Sequence, residues 1–526
     1  MKGIRVSGLL RIAIVCCTFA IAAPAGAGPA GPAGPAGAAG AAGPELPGDD
    51  AETKRILSIF QEITQVPRCS KQEGKISAWL VQWARARNLV VRTDSLNNVL
   101  IFVPASPGRE DRPVVALQAH MDMVCQKTET SVHDFSRDPI PLVRDGQWLR
   151  ARDTTLGADD GIGMAIALYL AEKPGLERPA LELLFTTDEE MDMTGAAGLS
   201  RDALTARRFI NIDSETEGMV TLGAAGGVKM GIRLPLAFTP LEPGQEAFAL
   251  RVGGLLGGHS GLEIGKQRAN ANTLAARAAR SLREAVPLRI VRFAGGSADN
   301  AITTAAEMVL VAAPAHAAAL RDGLASFEGL LRREYPEERD LTLSLVPLAE
   351  RPGKALSDRD SAKLIGLTLA IPQGVVEWSG QFPGLPETSN NLGIVRTIDS
   401  ALELVVFHRS FHPAKLERLA REIEGTAVAA GARATVRSTF PVWPPDPDSE
   451  LYRKALAAYE RAIGRPLQTE VLHAGLECGF IAEKYPGMEI ISIGPTLESV
   501  HTPAERLHVP SLGRIALFLR ELLKDL

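Results

Sequence analysis

Three apolar runs in the first half of the chain break off in the same way. Residues 114–119 end in His120, Met121 and Asp122. Residues 180–187 end in Asp188, Glu189 and Glu190, and residues 208–212 end in Asp213 and Glu215. Each run has the length and apolar content of a buried strand. Between the first two, residues 164–171 predict a helix entered through the loop 154–163. Asp159 or Asp160 is placed to cap that helix, which leaves one carboxylate for another task. Strands separated by helices predict an α/β fold with a mostly parallel central sheet and flanking helices. In such sheets functional groups collect beyond the carboxyl ends of the strands. His120, Asp159, Glu189, Glu190 and Asp213 are therefore expected along one edge.

The remaining pattern divides the chain. Apolar positions at Ile56, Leu57, Phe60 and Ile63 predict an opening helix over residues 51–64. A second helix follows over 76–86, then short strands at 89–92 and 99–103. From about residue 227 the texture changes. Strand-like segments near 248–252, 288–293, 308–312, 341–346 and 403–407 alternate with helical ones near 270–285, 317–333, 358–370 and 413–430. No acidic cluster follows these strands, so residues 227–442 read as an inserted α+β domain. Trp443-Pro-Pro-Asp-Pro447 marks its far boundary. The tail returns to the first style, with a helix over 450–463, a strand over 488–494, His501 just beyond it and a closing helix over 511–523. The catalytic domain is thus expected to be discontinuous, built from residues 51–226 and 443–526.

With 45% hydrophobic and 23% charged residues, the chain is globular in composition, and 526 residues suggest two or three compact units. The net charge of −5 and the lack of a long basic run argue against a nucleic-acid partner. Residues 1–27 resemble a secretory signal, with Lys2, Arg5 and Arg11 before an apolar run at 12–23 and small residues after it. That run is short for a membrane span, and no later stretch replaces it, so a periplasmic or secreted protein without a stable span is expected. Residues 28–50, rich in Gly, Pro and Ala, read as a disordered spacer. Cys69, Cys125 and Cys478 are too few and too far apart to make a disulfide framework.

Two histidines and several carboxylates, all after strand ends, suit a pair of zinc ions, with cobalt or manganese as substitutes. Two metals need a bridging carboxylate, and Asp159 is assigned to it. His120 and Asp213 complete one metal site, and Glu190 and His501 the other. A water between the metals is the expected nucleophile, with Glu189 as general base. Strand alternation puts His120 and Asp122 on one side, so Asp122 is expected to orient the imidazole.

These residues lie in strings that resemble a known family. They are Gln118-Ala-His-Met-Asp122, Thr154-Thr-Leu-Gly-Ala-Asp-Asp-Gly-Ile-Gly163, Asn211-Ile-Asp-Ser-Glu215, His473-Ala-Gly-Leu-Glu-Cys-Gly479 and Gly494-Pro-Thr-Leu-Glu-Ser-Val-His501. In this order they resemble the aminoacyl-histidine dipeptidases, the carnosine-cleaving branch of the cocatalytic zinc exopeptidases. The resemblance runs from about residue 51 to the C-terminus. It implies hydrolysis of small unblocked dipeptides, with Xaa-His among them, and a lid domain that also forms a homodimer. It implies that His259, in Gly257-Gly-His-Ser-Gly261, stabilises the oxyanion, and that Asn300 and Arg409 bind substrate. An N-acyl or N-carbamoyl amino acid amidohydrolase is the alternative. The family usually has Pro at Cys125, Gly at Asp153, Asn at Asp160 and Ala-Gly at Met191-Asp192. None of these departures removes a ligand, but Asp160 adds a negative charge beside the bridge.

Overall fold

Residues 50–526 are described by the computed structural model. The expected signal at 1–27 and nearly all of the expected spacer at 28–50 lie outside the described residues. Asp50 opens the fold as a helix cap, its Oδ1 accepting the N–H groups of Glu52 and Thr53 at 2.8 Å. The capped helix Ala51–Thr64 buries Ile56, Ile59, Phe60 and Ile63. This is the apolar stripe that its helical spacing predicts.

The first sheet among the described residues has eight strands. In spatial order they are Val90–Thr93, Val99–Val103, Leu181–Thr186, Val115–His120, Arg208–Asn211, Glu489–Ser492, Met219–Ala224 and Gln468–Leu472. The four central strands pair in parallel, and antiparallel pairs flank them. Both ends of the chain therefore build one sheet. Helices cover both of its faces. On the strand Val115–His120, Val115, Leu117 and Ala119 join one core cluster and Ala116 joins another. A strand buried on both faces reads as a continuous apolar run, which is why these strands were visible in the sequence.

The second sheet has nine strands and runs from Gly226–Pro235 to Arg433–Phe440. It carries its own core, including Phe248, Leu274, Ile290, Phe293, Leu404 and Ile423. Four of its strands, Gly226–Pro235, Gly374–Trp378, Pro386–Ile398 and Arg433–Phe440, have no counterpart among the apolar segments, and the last two show why. Thr388, Ser389, Asn390 and Asn391 are all buried in Pro386–Ile398, so its interior is polar. Arg433–Phe440 is mostly exposed. A hairpin of Leu142–Asp145 and Trp148–Ala151 also forms in a segment that reads as irregular.

The cysteine expectation needs a correction in one respect. Cys69 and Cys125 form a disulfide across 56 residues of sequence, with their Cα atoms 5.7 Å apart. An isolated parallel bridge between Cys69 and Met123 brings the two segments together. Sequence distance alone concealed this contact.

A buried polar row crosses six adjacent strands of the first sheet. Glu477 Oε2 accepts Gln118 Nε2 at 2.7 Å and Thr186 Oγ1 at 2.6 Å. Gln118 Oε1 accepts Asn211 Nδ2 at 2.6 Å, and Asn211 Oδ1 accepts the Ser492 hydroxyl. Ser492 and Ser214 share a hydrogen bond of 2.8 Å, and Ser214 and Thr221 one of 3.3 Å. Thr221 then donates to Glu470 at 2.8 Å. Gln118 and Asn211 stand two residues before His120 and Asp213. Burial pushes the Glu477 carboxyl up to about 8, against the hydrogen bond from Thr186.

Two predictions follow from this row. Asn211→Leu leaves Gln118 and Ser492 each short of a buried partner, and it should cost about 3 kcal/mol in urea unfolding. Glu477 holds its proton more tightly folded than unfolded, where it titrates near 4.5. Its contribution is therefore full below pH 4.5 and is lost as pH rises toward 8. In metal-free protein, Glu477→Gln should show a smaller fall in urea midpoint between pH 5 and pH 8 than the wild type does.

Candidate functional site

The loop entering the helix Ala158–Glu172 carries two aspartates with different surroundings. Asp160 is the cap: its Oδ1 accepts the Gly163 N–H at 3.0 Å, and its Oδ2 accepts the His120 N–H at 3.3 Å. Asp159 is the spare carboxylate. Its Oδ1 lies 3.0 Å from His120 Nε2, and its Oδ2 lies 3.0 Å from His501 Nε2. The two oxygens thus face different histidines. On the first side Asp213 Oδ1 is 3.4 Å from His120 Nε2. On the second, Glu190 Oε2 is 2.8 Å from His501 Nε2. His120, Asp159 and Glu190 offer donor atoms within 4.8 Å of one another.

Asp122 holds the arrangement from behind. Its Oδ1 lies 3.4 Å from His120 Nδ1, within ion-pair reach though outside hydrogen-bond geometry. Its two oxygens also accept the N–H groups of Glu189 and Glu190 at 3.0 and 3.3 Å. One carboxylate therefore fixes both the imidazole and the loop of the two glutamates. Burial alone would raise the Asp122 carboxyl, but His120 draws it down to about 2.

The electrostatics show an excess of negative charge. Burial opposes a charged His120, yet Asp213, Asp122 and Asp159 hold its pKa well above the ordinary value. His501 is pulled up to about 11 by Asp159 and Glu190 in spite of its partial burial. Asp159, between two imidazoles, is held far below the carboxylate range although it is buried. The other acids move the opposite way. Burial and the Asp213 charge push Asp160 well up, and burial pushes Asp213 up to about 6 against the pull of His120. Withdrawal from water, with Asp213, Glu190 and Glu477 nearby, raises Glu189 well above its ordinary value despite His120. A cation among these groups relieves that repulsion. Two imidazole nitrogens and three carboxylates are also the donors that zinc, manganese or cobalt accept. The cluster can therefore hold metal.

The inserted domain contributes a second group of residues. His259 Nδ1 accepts the N–H groups of Gly261 and Leu262 at 3.3 and 3.2 Å. That leaves the proton on Nε2. Burial and the Arg409 charge lower its pKa to about 4, so the ring is neutral near pH 7. The charges it feels are those of Arg409 and Glu263, not those of the acidic cluster. Arg409 is buried, stacks on Phe407 at 3.9 Å and has no hydrogen-bond or ion-pair partner among the described residues. Burial lowers its pKa to about 10, against the pull of Asp299. Asn300 is exposed beside His259, and its carbonyl accepts the Ser260 N–H at 2.8 Å.

The site thus has two parts. His120, Asp122, Asp159, Glu189, Glu190, Asp213 and His501 meet at the carboxyl edge of the first sheet. His259, Asn300 and Arg409 lie on the inserted domain. Several residues of the surroundings escape a reading of the sequence. Ser389 sits on the polar strand, and its hydroxyl is 2.7 Å from His473 Nε2. The buried His473 has a lowered pKa, about 3, through burial and the neighbouring Arg409 and His259. Its place in the string 473–479 was the only signal. Arg68 and Glu505, both buried, reach the Asp159 loop from segments with no apolar pattern of their own.

Comparison with known proteins agrees with this geometry. The chain is 37% identical to the cytosol non-specific dipeptidase of Escherichia coli (strain K12) over 469 residues, covering 89% of this chain and 96% of that protein. The crystal structure of aminoacylhistidine dipeptidase from Vibrio alginolyticus superposes with a TM-score of 0.83 at 34% identity, covering 90% of this chain and 96% of that one. The aminopeptidase PepT from Bacillus cereus has the same fold, at a TM-score of 0.51 and 16% identity over 90% of this chain and 98% of that one.

The expected export of the protein is corrected here. The Escherichia coli relative is a cytosol protein by name, and it matches most of the chain. The periplasmic or secreted assignment rested only on charge and apolar content in residues 1–27, which lie outside the described residues. No helix among the described residues is long and apolar enough to cross a membrane. The family model describing peptidase family M20/M25/M40 matches residues 116–525, and with the paired His and carboxylate groups meeting on Asp159, this chain belongs to that family.

Proposed function

We propose that this chain hydrolyses the peptide bond of small unblocked dipeptides with the help of two zinc ions. The observation that carries this reading is the split of the Asp159 carboxylate, one oxygen toward His120 and the other toward His501. His120, Asp159 and Asp213 would hold one ion, and Asp159, Glu190 and His501 the other. When bound, the ions polarise the scissile carbonyl and acidify the attacking water. Glu189 takes the proton of that water on its carboxylate and returns it to the leaving nitrogen. Asp122 keeps Glu189 in place through the backbone hydrogen bond and keeps His120 turned toward Asp159.

Substrate recognition falls to the inserted domain. A buried guanidinium without a partner asks for an anion, and the free carboxylate of a dipeptide matches its two-point geometry. Arg409 would take that carboxylate, with Asn300 beside the entrance. Neutral His259 would donate a hydrogen bond from Nε2–H to the oxyanion as the lid closes. Residues 51–226 and 443–526 would act as the catalytic domain and 227–442 as the lid. A homodimer through the lid is part of this proposal, supported by exposed Val346 and Val436 on the two edge strands of its sheet. The dipeptide reading is preferred to the N-acyl and N-carbamoyl alternative because both relatives above 30% identity are dipeptidases by name. One of them is called non-specific, so a preference for C-terminal histidine needs a direct measurement.

Zinc-loaded protein should release free amino acids from a dipeptide panel that includes carnosine, and a chelator should stop it. Cleavage of N-acyl amino acids alone would overturn the reading. Glu189→Gln should lower kcat by about a thousandfold while the zinc content stays the same. Full turnover by that variant would remove Glu189 from the proton transfer.

A further inference from the structure

We propose that Glu505 is a positioning residue for the reaction, setting the Asp159 carboxylate between the two histidines by binding the backbone on which it stands. The inference rests on the reading of Asp159 as the bridging ligand. Glu505 is buried, makes no ion pair among the described residues, and faces the charge of the buried Arg68. Its Oε2 accepts the N–H groups of Leu156 and Gly157 at 2.8 and 3.0 Å. Its Oε1 accepts those of Ala158 and Asp159 at 2.8 and 3.3 Å. Four successive amides thus converge on one carboxylate.

These amides lie in the turn before the regular helix that Asp160 caps, where the backbone at Asp159 and Asp160 is not helical and the amides have no local side-chain acceptor. Glu505 reaches this turn from 346 residues away along the chain. Only glycine fits at 157, where φ is +67° and a Cβ would lie 2.6 Å from Arg68 Nη2.

The same short segment carries His501. A turn joins the two, with the Glu505 N–H donating to Thr502 O at 3.0 Å and the Ala504 N–H to Thr502 Oγ1 at 3.1 Å. One rigid piece therefore contacts Asp159 twice, at its amide through Glu505 and at its Oδ2 through His501. The opposite side of the loop belongs to Arg68. Its guanidinium donates to Gly157 O, to Met121 O at 3.0 Å and to Asp122 O at 2.7 Å. Arg68 ties the loop to the His120 strand, while Glu505 ties it to the His501 turn. A helix cap needs two amides at most. Four amides fix the direction in which Asp159 leaves the backbone.

The test uses Glu505→Gln, with Leu512→Ala as a control for lost stability alone. Leu512 is buried in the apolar core on the closing helix Val509–Asp525 and has no polar group to offer the site. In metal-free protein, amide exchange at residues 156–159 should speed up at least tenfold in Glu505→Gln and stay unchanged in the control. Cobalt(II) alone should bind at least tenfold more weakly, with a changed visible spectrum. On a cleaved dipeptide kcat should fall about a hundredfold with KM within threefold. If Glu505→Gln does not fold, Glu505→Asp should give intermediate values of all three. Unchanged exchange at 156–159, or cobalt affinity and kcat reduced no further than in the control, would overturn the proposal. Because exchange and cobalt binding need no substrate, they decide it even if the dipeptide reading fails.

Discussion

Carboxylates confined together out of water repel one another, and the site is built around that constraint. At the edge of the first sheet the molecule gathers Asp122, Asp159, Asp160, Glu189, Glu190 and Asp213 within reach of two imidazoles. They cannot all remain ionised unless positive charge joins them. Neighbouring acids accordingly diverge. Asp159, flanked by His120 and His501, stays charged, while Asp160, one residue on, is driven toward its neutral form. The backbone supplies the rest of the compensation through N–H groups aimed at Asp122, Asp160 and Glu505. A cation bound here would relieve the repulsion that remains, which couples metal binding to local order.

What could be read from the sequence follows from what was buried. Strands packed on both faces leave unbroken apolar runs, and the charged residues that end them stand out, which is how His120, Glu190 and Asp213 could be placed at one edge. His501 was legible for the same reason, being just past the run at 488–494. The strand Pro386–Ile398 was not, because it buries Thr388 to Asn391 and so lacks an apolar period. Glu505 and Arg68 act on backbone groups, and a side chain that serves a distant main chain leaves no spacing to detect. The Cys69–Cys125 pair depends on a strand bridge that spacing does not encode. The assignment of residues 1–27 to export failed for another reason: composition at a terminus carries no packing information.

On the proposed reading, recognition and reaction occupy different parts of the fold. The metal-type donors line the edge of the first sheet, whereas the unpaired Arg409 stands on the second sheet and the neutral His259 on a separate two-stranded ladder of residues 258–259 and 301–302. The contact between them runs through the 473–479 string: His473 bonds Ser389 of the second sheet, and its carbonyl lies against Gly261. Changes in the inserted domain can therefore leave the donor set intact.

The place of the strand Glu489–Ser492 has a consequence for how the molecule is made. It lies between Arg208–Asn211 and Met219–Ala224, two strands separated by a short loop. Met219–Ala224 pairs only with strands from the last sixty residues of the chain. During synthesis on the ribosome, the inserted domain can complete its own core while the first sheet still has a gap. The gap closes only when the C-terminal segment emerges, and that segment also delivers Ser492, His501 and Glu505. A chain cut short before it lacks both the strand that completes the sheet and one of the two histidines that face Asp159. A chain without this segment is thus unable to assemble the donor set.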